Sequence, residues 1–473
     1  MVKAVLTHRI EVRLDDLPDG AEYALREALS IPNLAKQKAA KLDQWGWQQL
    51  PDTIDLWRYQ HFAGADWLSM PRGFYADFVQ GMKHFGHDVE LDDRRVFEGI
   101  FRIGARVDLR RWQIPAERAI LDNEQGIYKA PAGSGKTVTV LSVIRQLACK
   151  SLVIVNTKDI LWQWRERAHQ FLGEHYPVGQ IGDGEVEISP YLTIATAQTL
   201  HSRFDQLEAD GVFDMFSLVC LDECHHAQAE TYNYLLDRFT ARYRIGVSAT
   251  PDKTGDFALA TNVLGPVFFE TKPNEVTSLQ RPAVVRVPTA FTYGFRGHTS
   301  RFQRSNYGQM VEALVRNPDR NSLIVSKIME HSGHHQLVVT KRLEHIDILE
   351  ALLHAEGYPD PIYRLTGQDS NDHRKMVKAA MDDHPCVVLS TVADEALDAP
   401  RLDRLHLIFP QKNAGLVTQI VGRVERKAEG KTDAIIFDYV DGKVGPLEKQ
   451  WRVRRFDVYE PRGYRISIER TAA

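Results

Sequence analysis

The sequence predicts two tandem α/β domains built on parallel sheets, preceded by a small α+β domain. Three observations carry this prediction. Between residues 106 and 271 short, near-continuous apolar runs alternate with helical segments, the pattern of strands buried on both faces of a parallel sheet. A second series of the same kind occupies residues 336–439. The first hundred residues alternate differently and fit a smaller, mixed unit. The expected domains are 1–100, an accessory domain; 101–276; and 277–473, which ends in a basic tail.

In the accessory domain, residues 2–14 read as one strand by alternation, 21–30 as a helix, 33–45 as helix-like, and 66–77 as a strand interrupted by Pro71-Arg72-Gly73. In the first α/β domain the predicted strands are 126–129, 151–156, 191–195, 216–221 and 243–248. In the second they are 336–340, 361–365, 386–390, 405–409 and 433–439. Residues 272–321, with Pro273, Pro282, Pro288 and Pro318, read as the crossing and the start of the second domain. Only the first of these domains carries a phosphate loop, so the two are expected to form two walls of one cleft.

That loop is Ala130-Pro131-Ala132-Gly133-Ser134-Gly135-Lys136-Thr137, lying between an apolar run and a periodic one, the strand–loop–helix order a phosphate cradle requires. Glycine is needed where a Cβ would block close approach and unusual dihedrals. Lys136 supplies charge and Thr137 an oxygen for magnesium. Ala130 stands where the strict pattern has its first glycine. A plain glycine-rich turn would explain Gly133 and Gly135 but not the lysine and threonine after them. Downstream, the apolar run 216–221 ends in Asp222-Glu223, placing two carboxylates at the carboxyl edge of the sheet, where ligands of open α/β sheets bind. Asp222 is expected to hold magnesium and Glu223 to orient and deprotonate a water. An Asp-Glu pair alone more often decorates a helix N-terminus; the upstream loop changes that reading.

The order of these motifs resembles superfamily 2 helicases of the DEAD/H type, from about Leu109 to Arg426, with Asp222-Glu223-Cys224-His225 as the second motif. The resemblance implies two RecA-like domains, ATP and Mg2+ as cofactors, and a nucleic-acid track. Within it, Leu109-Arg110-Arg111-Trp112-Gln113 looks like the adenine-reading segment, Gln113 meeting the base edge, which a carboxamide can do by donating and accepting at once. Thr157, Lys158, Thr196 and Gln198 fall on strand-contacting motifs, together with Leu161-Trp162-Gln163-Trp164; Thr340, Thr366 and Thr391 are the corresponding positions in the second domain. Ser248 and Thr250 in Ser248-Ala249-Thr250-Pro251 would couple the nucleotide site to the nucleic acid. The fifth motif contains Asp398 and departs from the commoner wording at Ala396. Gln419, Arg423 and Arg426 form the sixth, with the two arginines on one helix face answering charge on the γ-phosphate. Leu-Arg-x-Trp-Gln, Gln163-Trp164 and an N-terminal domain with Pro71-Arg72-Gly73 are most similar to the branch holding the XPB and phage UvsW-type helicases. That implies work on branched, duplex or single-stranded DNA, unwinding or reannealing it in replication or repair, with RNA in hybrids and replication or recombination proteins as further partners.

Composition is compatible with this. The 473 residues are 43% hydrophobic and 26% charged, with a net charge of −4, so a uniformly basic, histone-like binder is excluded while a local basic groove is not. No run of about 18 apolar residues suggests a membrane span, and the early charges of the N-terminus do not read as a secretory signal, so a cytoplasmic setting, bacterial or phage-infected, is expected. From residue 451 to 470, Arg452, Arg454, Arg455, Arg462, Arg465 and Arg470 outnumber Asp457, Glu460 and Glu469, with Trp451, Phe456, Tyr459 and Tyr464 interleaved. These aromatics suit base stacking or a packed terminal element equally. Cys220, Cys224, His225 and His226 do not have the spacing of a common zinc site, and His331, His334 and His335 read as a polar loop. An RNA helicase of the same architecture is the alternative, as is a scaffold with a vestigial nucleotide site, against which Lys136, Glu223 and Arg426 argue.

Overall fold

The computed structural model describes residues 1–41, 47–99, 107–225, 230–251, 257–277, 279–294, 300–392 and 399–469. The expectations placed on Asp398, Ala396, His226 and Arg470 lie outside these residues. By its internal contacts the chain divides into two compact units, one of residues 1–131 and 135–271, the other of residues 272–473 with the short loop 132–134.

Among the described residues the first unit holds two large sheets and a two-stranded antiparallel pair, Ser30–Pro32 with Thr53–Asp55. A five-stranded mixed sheet has the order Arg58–Phe62, Ala65–Pro71, Arg9–Arg13, Val2–Leu6, Val89–Asp93, with Val2–Leu6 and Val89–Asp93 parallel and the other neighbours antiparallel. Residues 2–14, expected as one strand, are two strands and the start of a short 3-10 turn. Val2, Ala4, Leu6, Ile10 and Val12 are all buried, so the inward parity continues across the reversal at Thr7-His8, and alternation alone gives no sign of a fold-back. The strand expected over 66–77 stops at Pro71; Arg72–Phe74 is a 3-10 turn leading into the helix Tyr75–His84.

Eight strands form the second sheet, in the order Glu185–Glu187, Val178–Gly182, Leu192–Thr196, Ser151–Val155, Leu218–Asp222, Tyr243–Ser248, Gln125–Lys129, Val267–Glu270. All pairings are parallel except the edge hairpin Val178–Gly182/Glu185–Glu187. Its central strands are buried on both faces, which is why they read as unbroken apolar runs. The edge hairpin and Val267–Glu270 were not expected. The hairpin mixes its apolar residues with glycines and acids, and no residue of Val267–Glu270 is fully buried.

The mixed sheet is locked onto the parallel one by buried arginines. Arg72 donates to the carbonyls of Ala241 (2.6 Å) and Arg242 (3.2 Å) and to Gln125 Oε1 (2.8 Å). Arg244 reaches back to the carbonyls of Phe239 (2.6 Å) and His8 (3.1 Å). Arg9 pairs with Asp237, which also takes Arg58 at 2.8 Å. Beside them the backbone of Gly73 lies against the helix Phe257–Leu264, so close that a Cβ would sit 2.3 Å from the Thr261 carbonyl oxygen. Pro71-Arg72-Gly73, expected as an interruption within a strand, is therefore an internal joint with Arg72 fully buried.

The second unit contains one seven-stranded, all-parallel sheet in the order Ile362–Leu365, Cys386–Ser390, His335–Val339, Arg404–Leu407, Ile435–Val440, Ala283–Pro288, Arg465–Ile468. Ala283–Pro288, inside the expected crossing, is one of its inner strands. Trp451, Tyr459 and Tyr464 are buried in its core, leaving Phe456 exposed. The tail is a packed closing element: Arg454 makes a two-point contact with Asp438 (2.7 and 2.8 Å), and Arg462 is held by Glu425. The stacking reading of those three aromatics is thereby overturned, because their rings close the hydrophobic core.

Candidate functional site

In the first unit the carboxyl ends of the parallel strands bring the sequence-predicted residues to one edge. Lys129 pairs with Ser248 and Val247 with Asp222, so the start of the phosphate loop, Ser248 and Asp222 come level there. Ala130 is buried and its N–H donates to the Ser248 carbonyl (3.0 Å); a side chain at the place of the pattern's first glycine is accommodated as core. Gly133 and Gly135 have φ of 75° and 86°, the left-handed region that glycine occupies without strain. A Cβ on Gly135 would lie 2.5 Å from Gln113 Nε2. The helix Lys136–Leu147 starts immediately after, presenting its first N–H groups and Thr137, while Lys136 Nζ donates to the Ala130 carbonyl at 3.2 Å.

Gln113 is buried and braces this loop. Its Nε2 donates to the Gly135 carbonyl (2.9 Å) and its Oε1 accepts from Arg110 N (2.8 Å), leaving one N–H and one lone pair for a base edge.

Asp222 ends its strand with both oxygens engaged: Oδ1 accepts from Glu223 N (2.9 Å) and Oδ2 from the indole Nε1 of Trp164 (2.7 Å). Glu223 sits at φ 49°, a left-handed conformation costing a non-glycine residue roughly 1 kcal/mol or more, of the kind found at functional sites. Its Oε2 accepts from Ser248 Oγ (3.0 Å) and lies 3.3 Å from His225 Nδ1, and Ser248 Oγ also accepts from Thr250 N (3.1 Å). Burial, then the adjacent Glu223 charge, push the Asp222 carboxyl up to about 6. Burial pushes Glu223 the same way, but the His225 hydrogen bond, the Lys136 charge and Ser248 outweigh it and bring Glu223 down to about 2. Of this coupled pair Asp222 is the proton-holding member, and a divalent cation would relieve the like-charge repulsion that makes it so. The donor set, two carboxylates with Thr137 on a helix start, fits magnesium and a nucleotide triphosphate.

Thr157 and Thr196 are helix N-caps, their hydroxyls accepting from Ile160 N and Thr199 N (3.4 Å each). Thr196 is buried and Gln198 exposed. Lys158 extends from the helix start but is paired with Asp183, in the turn of the edge hairpin, at 2.6 Å. Cys220 and Cys224 are fully buried, and among the described residues no group of three or more His, Cys, Asp and Glu is arranged to hold a metal ion.

In the second unit, Leu365 and Val339 both pair with Ser390, so Thr366, Thr391 and Thr340 follow level at the carboxyl edge of three adjacent strands. The Thr340 side chain departs from expectation: it is buried with its hydroxyl 3.1 Å from His345 Nδ1, and its N–H donates to the Ser390 carbonyl (2.9 Å), so neither group is left to meet a phosphate. Gln419 and Arg423 lie four residues apart on the helix Ala414–Val424, sharing a half-buried face. Arg426 is not on that helix. It lies past the last turn in an isolated bridge with Leu279, because the segment is captured from both sides: buried Glu425 accepts from Arg462 (2.9 Å) and Tyr464 (2.6 Å), and Lys431 Nζ donates to the carbonyls of Val424 (2.6 Å) and Arg426 (2.7 Å). Sequence reasoning gave no role to Glu425, at a variable position of the sixth motif, or to Lys431 beyond it, and read Trp164 only as part of a strand-contacting motif.

Two family profiles match the chain: "Type III restriction enzyme, res subunit" over residues 106–253 and "Helicase conserved C-terminal domain" over residues 319–428. The chain belongs to the superfamily 2 helicases. Helicases of this superfamily use ATP with Mg2+, and the two parallel sheets are its tandem RecA-like domains, with the mixed sheet as an N-terminal addition. Among relatives, the chain is 26% identical over 320 residues to "Probable helicase D10" of Escherichia phage T5, covering 66% of this chain and 67% of that protein. It is 30% identical over 172 residues to "DNA 3'-5' translocase XPB2" of Sulfurisphaera tokodaii, a match spanning 36% of this chain and only 37% of that protein. Solved structures share the fold: the "ATP-dependent Type ISP restriction-modification enzyme LlaBIII bound to DNA" at TM-score 0.53 and 16% identity over 73% of this chain and 29% of that one, and "S. cerevisiae Dbp5 bound to RNA and ADP BeF3" at 0.52 and 13% over 76% and 89%. Among the described residues no helix of this helicase is long and apolar enough to cross a membrane.

Proposed function

We propose that this helicase is an ATP-driven DNA translocase that couples Mg-ATP hydrolysis to unwinding, branch migration or reannealing of branched or duplex DNA during replication, recombination or repair. The observation that carries the reading is the Asp222–Glu223 pair at the sheet edge, with Lys136 and Ser248 against it. Thr137 and Asp222 would hold magnesium, which would supply charge to screen the phosphate oxygens and polarise the reacting phosphate. The loop 132–135 and Lys136 bind the phosphates, and Gln113 orients the base. Glu223, kept ionised by His225, Ser248 and Lys136, accepts the proton of the attacking water. Arg423 and Arg426 of the second RecA-like domain neutralise charge developing on the γ-phosphate, and Gln419 helps to bind the nucleotide. Ser248, shared by Glu223 and Thr250, links the water-activating carboxylate to the third motif. Thr157, Lys158, Thr196, Gln198, Thr366 and Thr391 contact the nucleic-acid backbone, sequence-independently. The DNA assignment is supported by the relative XPB2, named as a DNA translocase.

The test is one panel: ATPase and strand-separation rates with single-stranded, duplex, forked, four-way-junction and R-loop DNA and with RNA, against a Lys136→Ala control. Stimulation by forked or junction DNA above that control is expected. Stimulation by RNA alone would replace the DNA assignment, and no stimulation by any nucleic acid would remove the motor reading.

A further inference from the structure

Trp164 is among the largest fully buried side chains of the molecule, yet its one polar atom is spent on a carboxylate of the nucleotide site. The indole is a donor only, and its partner is Asp222 Oδ2 at 2.7 Å. With Oδ1 already taken by Glu223 N (2.9 Å), the plane of the Asp222 carboxylate is set from two directions, and the lone pairs left over have fixed bearings. The element that supplies the indole is the helix Lys158–Leu172, whose cap is Thr157 and whose first residue is Lys158. From that cap to Trp164 the helix rises about 10 Å. Leu161 and Trp164 lie on its buried face, three residues apart, so the face that seats the helix also carries the indole. At 2.7 Å the bond tolerates little movement: a shift of about 1 Å along its axis takes it beyond hydrogen-bond range.

We propose that Trp164 is a positioning residue that sets the Asp222 carboxylate for magnesium and passes to it the displacement produced when a nucleic-acid backbone is gripped at the Thr157–Lys158 end of the same helix. The proposal rests on the reading of Thr157 and Lys158 as backbone contacts given above. It assigns to the helix a second job: one end meets phosphate, while a later turn holds the metal's ligand.

The experiment compares the full-length wild type with Trp164→Phe, which keeps an aromatic ring and removes the donor. A second variant carries benzothienylalanine at position 164, in which sulfur replaces the indole N–H with little change of shape. Three quantities are read: the Mg2+ concentration giving half-maximal binding of a fluorescent ADP analogue, the ratio of ATPase rates with and without single-stranded DNA, and single-stranded DNA affinity without nucleotide. Losing a hydrogen bond to a charged group predicts a Mg2+ requirement raised about tenfold or more. The DNA stimulation ratio falls severalfold, while nucleotide-free DNA affinity stays within about twofold, because Thr157 and Lys158 are untouched. Unchanged Mg2+ dependence and unchanged stimulation in either folded variant overturns the proposal, as does a lowered melting temperature with both of those unmoved, the mark of packing alone. Should Trp164→Phe fail to fold, the sulfur variant decides. A wild type stimulated by no nucleic acid sinks the proposed function and, with it, the transmission from the helix start; the Mg2+ dependence then still judges the bond to Asp222.

Discussion

A single methyl group tests whether the N-terminal mixed sheet is an integral part of the first unit. In Gly73→Ala the added Cβ would lie 2.3 Å from the Thr261 carbonyl oxygen, 2.4 Å from that of Asn262 and 2.6 Å from the Asn262 carbonyl carbon. All three are backbone atoms of one helix, and none can rotate away as a side-chain end could. Relief requires moving the 3-10 turn Arg72–Phe74 or the helix Phe257–Leu264, which loosens the Arg72 bonds to Ala241 and Arg242 a residue away. Overpacking of this kind costs about 1–3 kcal/mol, and a weakened hydrogen bond from a charged donor adds about 1.5 kcal/mol or more, so destabilisation of about 3–4 kcal/mol is expected. Gly81→Ala is the internal control. It lies inside the helix Tyr75–His84 with nothing within 4 Å of its would-be Cβ, and should stabilise by about 0.5–1 kcal/mol. Urea unfolding of the full chain, followed by circular dichroism and by limited proteolysis at the seam, reads both. Gly73→Ala within about 0.5 kcal/mol of wild type would refute the argument that this seam is closed by backbone contact.

Further outcomes follow from the site and the core. Glu223→Gln should lower kcat by about 10²–10⁴ while leaving binding of a fluorescent ATP analogue near wild type, since it removes the proton acceptor and spares the phosphate loop; parallel loss of binding would deny Glu223 that role. Asp183→Asn should free Lys158 from its 2.6 Å ion pair, tightening single-stranded DNA binding at low salt and steepening the plot of log affinity against log salt by up to about one unit. A variant indistinguishable from wild type across salt would mean that Lys158 meets no phosphate. His345 and His406 are held neutral, each pushed down to about 3 by burial. Their folded values lie below the unfolded value of about 6.5, so the stability they confer is complete above that pH and is lost as pH falls toward about 3. At a pH of about 5 each should cost about 2 kcal/mol. The fall in stability between about pH 7 and 5 should be shallower in His406→Asn, and equal slopes would contradict the assignment.

Whatever depends on local pattern could be read from the chain alone. Continuous apolar runs announced the central strands of both parallel sheets, and Tyr243–Ser248 and Cys386–Ser390 fall where expected, because a strand covered on both faces has no alternation to misread. Gly133, Gly135, Lys136 and Asp222-Glu223 were legible for a similar reason: their chemistry demands particular residue types next to one another in the chain. Contacts between distant segments fixed the remainder. Alternation could not reveal the reversal at Thr7-His8, since inward parity survives it, nor that Arg454, Arg462 and three of the tail's aromatics turn into the core rather than toward solvent. Arg454 and Arg462 look like a basic patch until Asp438 and Glu425, each carried by another element, are brought against them. Trp164 and Asp222 are 58 positions apart, and their hydrogen bond exists only because the sheet sets the strand Ser151–Val155, which leads into the Trp164 helix, beside Leu218–Asp222. A linear pattern records which groups are present; burial and long-range pairing determine which of them are left to act.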